Sequence, residues 1–230
     1  MTPSEDALRF FDGIAARYER VYALSSAESR RRMTRVLGQL PTAPARILDL
    51  GVGTGRELSA LLDAGYQPTG IDVSPGMLAR CARRSRPVDL VEADFWRPLP
   101  FDDSSFDSAL ALHGTLAHAP DLGALSHLSR ELARVVRPGG AWVAEAPAPA
   151  WLDEVDRASV NTGAASRDTA ERRIRRTGPS TCLCEDLIAG VSVRARVFSE
   201  EEWISALRPE WTTRLEGHGE LEWFLVARRV

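Results

Sequence analysis

The segment Ile47–Glu57, ILDLGVGTGRE, carries an apolar run into three glycines, each two residues after the last, and then into a helical pattern. Glycines at a strand-to-helix junction let the backbone turn tightly and approach a ligand closely. A dinucleotide site needs Gly-x-Gly-x-x-Gly, so that a pyrophosphate meets the helix N-terminus. Counted from Gly51, the third glycine falls on Arg56; counted from Gly53, it falls on Leu58. The fingerprint fails both ways. A phosphate-binding P-loop fails too, because no Gly-Lys-Ser/Thr follows. The pattern that stands there is Asp49-x-Gly51-x-Gly53-x-Gly55.

Around this loop the chain alternates strand and helix. Residues 5–40 read as helical, with Ala7, Phe10, Phe11, Ile14 and Tyr18 at a spacing near 3.6. Arg46–Leu50, Gln67–Asp72, Val88–Ala93, Phe106–His113 and Ala141–Glu145 read as strands. Helices fit between them: Arg56–Ala64 stopping at Gly65, one opened by Pro75, and one capped by Asp121 and running to about Val136. Pro138-Gly139-Gly140 reads as a turn. Five such strands imply a doubly wound parallel sheet. Residues 146–180 show weak periodicity and take no clear assignment. Cys182–Ile188 and Val191–Phe198 form an expected hairpin through Ala189-Gly190. Ser199 with Glu202 gives a capping box. Thr212–Glu216 and Glu222–Arg229 must be antiparallel, because their connection is short.

The chain's 230 residues fit one α/β domain. A net charge of −3, from 29 basic and 32 acidic residues, argues against binding nucleic acid through overall positive charge. Every basic residue is Arg, so Lys-based Schiff-base or general-base chemistry is excluded. Cys81, Cys182 and Cys184 are too few and too irregular for a disulfide framework, and the lone Cys-x-Cys lacks a second zinc-ligand pair. The start, MTPSEDALRF, is no signal peptide, and no apolar run reaches membrane-spanning length. The expectation is a soluble, cytoplasmic protein that does not engage membranes.

Taken in order, the motifs resemble those of the class I S-adenosylmethionine (SAM)-dependent methyltransferases of small-molecule type. Asp49–Gly55 resembles motif I. Gly70-Ile71-Asp72-Val73-Ser74-Pro75-Gly76-Met77-Leu78 looks like the second-strand motif, and Glu92-Ala93-Asp94-Phe95 like the third. Leu99-Pro100-Phe101 with Ser105-Phe106-Asp107 looks like the lead into strand four, and Glu131–Gly140 like the helix and turn before strand five. Ser199–Trp203 and Trp223–Arg228 fit the closing helix and strand. Each piece alone is a weak signal; the ordered set is specific. The resemblance implies a doubly wound, seven-stranded, mostly parallel sheet with an antiparallel last strand and an N-terminal helical cap. It divides a single domain over 1–230 into a cap (1–44), a cofactor core (45–146), an insertion with a hairpin (147–198), and a closing helix and strands (199–230).

The resemblance also assigns residues. Asp72, with Val73 beside it, would take the two ribose hydroxyls, since a carboxylate accepts two hydrogen bonds well. Asp94 would receive the adenine amino group, the Phe95 backbone N–H would contact the ring, and Met77 would pack on its face. Gly51 and Gly53, with Gly55 completing the motif, would admit the methionine moiety. Asp49 would orient the loop or meet the ammonium, which the carbonyl of Leu112 or His113 would also accept. Tyr18 would lie over the carboxylate. The product is then S-adenosylhomocysteine (SAH).

The cofactor supplies the reactive methyl; the protein aligns the acceptor, excludes water and sometimes removes a proton. His113 and His118, after strand four, are the candidate bases, because ligands of such sheets bind at the carboxyl edge. The loop HGTLAHAP has no carboxylate before Asp121, so no metal is expected. Trp151, Phe198, Trp203 and Trp211 are candidates for an apolar acceptor pocket, with core packing as the bland alternative. The expected function is methyl transfer to oxygen or nitrogen of a small molecule by a monomer or homodimer. The rivals are a protein- or RNA-modifying methyltransferase, a non-catalytic SAM-binding subunit, and a relative using a modified sulfonium cofactor. The Asn/Asp-Pro-Pro-Tyr/Phe type of motif that would favour a nucleobase or amide nitrogen is absent; Leu112-His113-Gly114-Thr115 stands in its place.

Overall fold

Apolar side chains at helical spacing draw the first forty residues into three helices over the rest of the chain. The computed structural model describes residues 3–162, 172–218 and 221–230. α1 (Pro3–Ile14) buries Ala7, Phe10 and Ile14, and a short 3₁₀ turn leads into α2 (Tyr18–Val21). α3 (Ser26–Leu37) starts at a capping box: the Glu28 N–H donates to Ser25 Oγ, and the Ser25 N–H donates to Glu28 Oε2 at 2.9 Å.

β1 (Arg46–Leu50) is buried at four of its five positions, as a strand covered on both faces must be. It is followed by α4 (Leu58–Asp63), which stops before Gly65, where φ is +87°. β2 (Gln67–Asp72) leads to α5 (Pro75–Arg84), capped by the Ser74 hydroxyl with Pro75 at its start. β3 (Asp89–Glu92) and β4 (Phe106–Ala111) follow, then α6 (Leu122–Val135), capped by Asp121. β5 (Val136–Pro147) differs from expectation. The Pro138-Gly139-Gly140 turn does not precede the strand but bulges out of it, since Phe106 pairs with Val136 and Ser108 with Ala141. A side chain on Gly140 would meet the Asp107 carbonyl oxygen at 2.5 Å, so the bulge lies hard against β4.

The segment that the sequence left unassigned holds α7 (Pro149–Thr162) and β6 (Arg172–Gly178). β6 pairs with β7 (Thr181–Asp186), which pairs with β8 (Val191–Arg196), both antiparallel. The expected hairpin is therefore two strands of a separate three-stranded sheet. α8 (Glu200–Leu207) begins at the Ser199–Glu202 capping box. β9 (Trp211–His218) and β10 (Glu222–Arg229) are antiparallel, and β10 also runs antiparallel to β5. The main sheet has the order β3-β2-β1-β4-β5-β10-β9. It is seven-stranded and mostly parallel with an antiparallel last strand, as expected.

Three cores result. One sheet face packs on α6 and α8 through Leu125, Leu128, Trp142 and Trp203; the other packs on α3 and α4 through Val36, Leu58 and Leu61. The third joins α1 to the small sheet through Phe10, Ile14, Cys184 and Val193. The cap and the insertion therefore share one apolar core above the carboxyl edge of the main sheet. Among the described residues, no helix is long and apolar enough to cross a membrane.

Candidate functional site

The order β3-β2-β1-β4 places the first connections on either side of a crevice at the carboxyl ends of β1 and β4, where such sheets bind ligands. A cavity opens there. Tyr18, Gly51, Gly53, Asp72, Val73, Met77, Asp94, Phe95, His113 and His118 all line it. A smaller cavity beside it adds Asp49, Arg56, Glu57 and Leu112, and shares Tyr18, Gly51 and His113 with it. Thirteen positions far apart in sequence were expected at one site, and twelve of them converge on these two spaces.

Gly55 is the exception, since it lines neither cavity. Its φ is +74°, and a Cβ there would lie 2.6 Å from Cys81 Sγ, so it serves the packing of the loop on α5. Gly51 does face the cavities, at φ +65°, and a Cβ would strike the Thr115 side chain at 2.7 Å. Leu112 is present, but its carbonyl already accepts from the Thr115 N–H at 3.2 Å and the Thr115 hydroxyl at 2.8 Å. Both of its lone pairs are engaged, which leaves the expected ammonium contact to other groups.

Asp72 is held rigidly at the end of β2. Its two oxygens accept from the N–H groups of Gly53 and Ser74, each at 2.9 Å. Burial raises its pKa, and these backbone bonds with that of Val73 oppose the rise. Three donors leave the carboxylate one further lone pair for the cavity that Asp72 lines. Asp94 is fixed similarly by the Trp96 N–H at 3.0 Å. Tyr18 is set by its neighbour Glu19, which accepts from Thr54 Oγ1 and, at 3.1 Å, from Arg56 Nε on the glycine loop. The Arg56 guanidinium lies 4.9 Å from the Tyr18 ring centroid.

Three carboxylates, Asp49, Glu57 and Asp72, are buried around the glycine loop. Burial first, then the charges of Glu57 and Asp72, push the Asp49 carboxyl well above the ordinary carboxylate range. Asp49 Oδ2 has no hydrogen-bond partner, and nor does the buried Nη2 of Arg56, which lines the same small cavity. An unpartnered carboxylate oxygen and an unpartnered guanidinium nitrogen suit the ammonium and carboxylate of an amino acid. The excess of negative charge suits a further cation such as a sulfonium. The residues present fit SAM on these observations.

The two histidines differ in what holds them. His113 has φ +56°, a left-handed conformation costly for a non-glycine residue. Its backbone N–H donates to Glu145 Oε2 at 3.1 Å. Its Nδ1 faces Arg32 Nη1 at 3.2 Å, and its Nε2 meets Glu57 Oε1. A guanidinium only donates, so Nδ1 accepts and Nε2 carries the hydrogen. Both ring nitrogens of His113 are thus occupied, by Arg32 and Glu57. Arg32 in turn donates from Nε to Glu145 at 2.8 Å. His118 instead donates from Nδ1 to the Arg194 carbonyl at 3.0 Å, and its ring meets Phe11 edge-on. Its Nε2 is therefore a lone-pair nitrogen, and burial lowers its pKa from 6.5, which keeps it neutral.

A third cavity lies between the main sheet and the small one and shares Tyr22, His113 and His118 with the first. Trp151, Ile174, Cys184 and Val193 give it apolar walls. Of the four aromatic candidates only Trp151 lies there; Phe198, Trp203 and Trp211 are buried in the main core. Sequence reasoning passed over Phe11, Tyr22, Arg32, Arg56, Glu57, Thr115 and Glu145. A usable signal existed for Glu145, as a charge in the otherwise apolar run AWVAEA. Arg32 gave none, because its partners Glu145 and His113 are more than eighty residues away. Among the described residues, no group of three or more His, Cys, Asp or Glu is arranged to hold a metal ion.

This sheet order and crevice define a doubly wound, Rossmann-like α/β fold. Residues 47–140 match the family model of a methyltransferase domain. It is 38% identical over 151 residues to a demethylmenaquinone methyltransferase of Beutenbergia cavernae, covering 64% of this chain and 60% of that protein. The chain thus spans less than two thirds of the length of the curated relatives it matches. Two solved structures share the fold. A protein of Pyrococcus horikoshii has TM-score 0.71 and 20% identity, covering 93% of this chain and 98% of that one. CalS10, an amino pentose methyltransferase from Micromonospora echinaspora solved with SAM bound, has TM-score 0.64 and 19% identity, covering 92% and 94%.

Proposed function

We propose that this protein transfers a methyl group from SAM to an oxygen or nitrogen of a small-molecule acceptor held between the main and small sheets. The observation that carries this reading is the pairing of two adjoining cavities. One is lined by buried Asp72 and adjoins the small space where Asp49 Oδ2 is unpartnered, and the other shares His118 with it.

SAM, when bound, supplies a methyl carbon activated by the sulfonium charge. Asp72 accepts the ribose hydroxyls, and Asp94, Phe95 and Met77 hold the adenine. Asp49 and Arg56 take the ammonium and carboxylate, with Tyr18 as the lid. His118 Nε2 accepts the acceptor's proton while the Arg194 carbonyl fixes its tautomer. His113 is a positioning residue: it ties Glu57, Arg32 and Glu145 together beneath the acceptor. The shared core of α1 and the small sheet excludes water above the reacting atoms.

The Beutenbergia relative's name refers to a quinone-type small molecule, and the CalS10 title to an amino sugar; both favour a small acceptor over a macromolecule. Calorimetric titration with SAM and SAH, beside Asp72→Ala, tests the reading. Losing the ribose contacts should weaken binding by about tenfold to a hundredfold. Wild-type protein that binds neither ligand overturns it.

A further inference from the structure

The cavity between the two sheets contains acids that are already engaged and a guanidinium with one buried N–H that is not. Glu145 accepts from Arg32 Nε at 2.8 Å and from the His113 N–H at 3.1 Å, and Glu222 lies 3.9 Å from Arg32 Nη2. Arg172, at the start of β6, lines the same cavity. Among the described residues no carboxylate forms an ion pair with it, and its buried Nε has no hydrogen-bond partner. A side-chain hydrogen bond to Tyr22, with the guanidinium carbon 4.7 Å from that ring's centroid, holds the fork beside a residue that both large cavities share and leaves Nε unpaired. An unpaired buried N–H of this kind is costly in the empty protein and is relieved by an acceptor atom.

From this we infer that the cavity takes an acceptor bearing an anionic oxygen, a phenolate or a carboxylate, on a flat apolar body, with Arg172 as its counter-charge. This rests on the methyl-transfer reading and adds the chemical class of the acceptor to it. The walls agree with the charge. Ile174, Cys184 and Val193 are cross-strand neighbours presenting one apolar face, and Trp151 lines the same cavity. A planar guanidinium matches an oxyanion in two-point geometry, which a compact ammonium would not.

The test uses three probes of one shape: 2-naphthoate, 2-naphthol and the neutral 2-naphthamide. Each is titrated calorimetrically into wild-type, Arg172→Gln and Arg172→Lys protein, with and without saturating SAH. Naphthoate, or naphthol above its ionisation, should bind wild-type protein about tenfold or more tightly than the amide. Arg172→Gln should erase that preference, and Arg172→Lys should keep part of it. Tightest binding by naphthol assigns a phenolate, and by naphthoate a carboxylate. An amide that binds as well as both, no binding by any probe, or an unchanged preference in Arg172→Gln overturns the inference. Because wild-type ranking is read without SAH as well, absent SAH binding would sink the methyl-transfer reading separately. Retained SAH binding by Arg172→Gln shows that the variant is folded.

Discussion

The Nδ1 of His118 donates to the carbonyl oxygen of Arg194 across 3.0 Å, so a backbone group of the small sheet fixes the tautomer of a side chain on the main sheet's loop. With Nε2 left as the lone-pair nitrogen and burial holding the pKa below 6.5, the ring is neutral near neutrality. Deprotonation is complete on the acid side of an ordinary histidine. The pH profile of kcat/KM should therefore rise below the usual histidine range and be flat by neutrality. His118→Ala should lose that limb and about a hundredfold in kcat, with SAH affinity unchanged. His113→Ala should instead change KM and SAH affinity, because its nitrogens hold Glu57 and Arg32. A His118→Ala enzyme with full turnover on its true acceptor would leave proximity alone as the source of catalysis.

The crowding of Asp49 by Glu57 and Asp72 makes a second expectation. In the free protein its carboxyl is raised well above the ordinary range, so it holds a proton at pH values where a free Asp would not. A bound ammonium favours the ionised form. Binding then releases that proton, and affinity for SAH rises as pH climbs through the raised pKa. Calorimetry in buffers of different ionisation enthalpy reads the released proton directly. Asp49→Asn should abolish both the release and the pH dependence; if the variant keeps them, the proton belongs to another group.

The sheet was legible because its signals are local. Four buried positions in Arg46–Leu50, a serine with glutamate three residues on at Ser199, and Pro75 after Ser74 each declare an element without reference to the rest of the chain. Positions lining the first cavity were legible for the same reason: Asp72 ends β2, and Asp94 follows β3 by two residues. The acceptor side was not. Arg32 reaches Glu145 and His113 across 113 and 81 residues, and Arg172 meets Tyr22 across the cap. No periodicity encodes such pairs. The strand β6, RRIRRTG, hides its pattern for a related reason. Only Ile174 is buried on it, and the arginines on the exposed positions read as a solvated run.

The cap and the small sheet are bolted together by Arg17 and Asp186. The carboxylate is 1% exposed and also accepts from the N–H groups of Ile188 at 3.1 Å and Ala189 at 2.7 Å. Removing the guanidinium leaves a buried charge without its counter-ion, so Arg17→Met should cost about 3 kcal/mol. Arg17→Met with Asp186→Asn should recover part of it, since the stranded charge is gone. Urea unfolding of the two variants measures both. A single variant as stable as wild type would mean that the pair contributes nothing to holding the cap.

Gly55 provides the last test, since its place in the motif suggests a cofactor contact while its surroundings point to packing. A Cβ there meets Cys81 Sγ at 2.6 Å and Leu58 Cδ1 at 3.1 Å, on a backbone at φ +74°. Gly55→Ala thus carries two costs: about 1 kcal/mol for a left-handed non-glycine residue, and a clash that the buried sulfur cannot easily evade. Cys81→Ala removes the sulfur and so the clash, but leaves the strain. Combining the two substitutions should therefore cost less than the sum of the single ones, a positive coupling that thermal unfolding resolves. SAH affinity of the double variant should stay close to that of Cys81→Ala, because neither cavity includes Gly55. A loss of affinity without a loss of stability would return Gly55 to the cofactor.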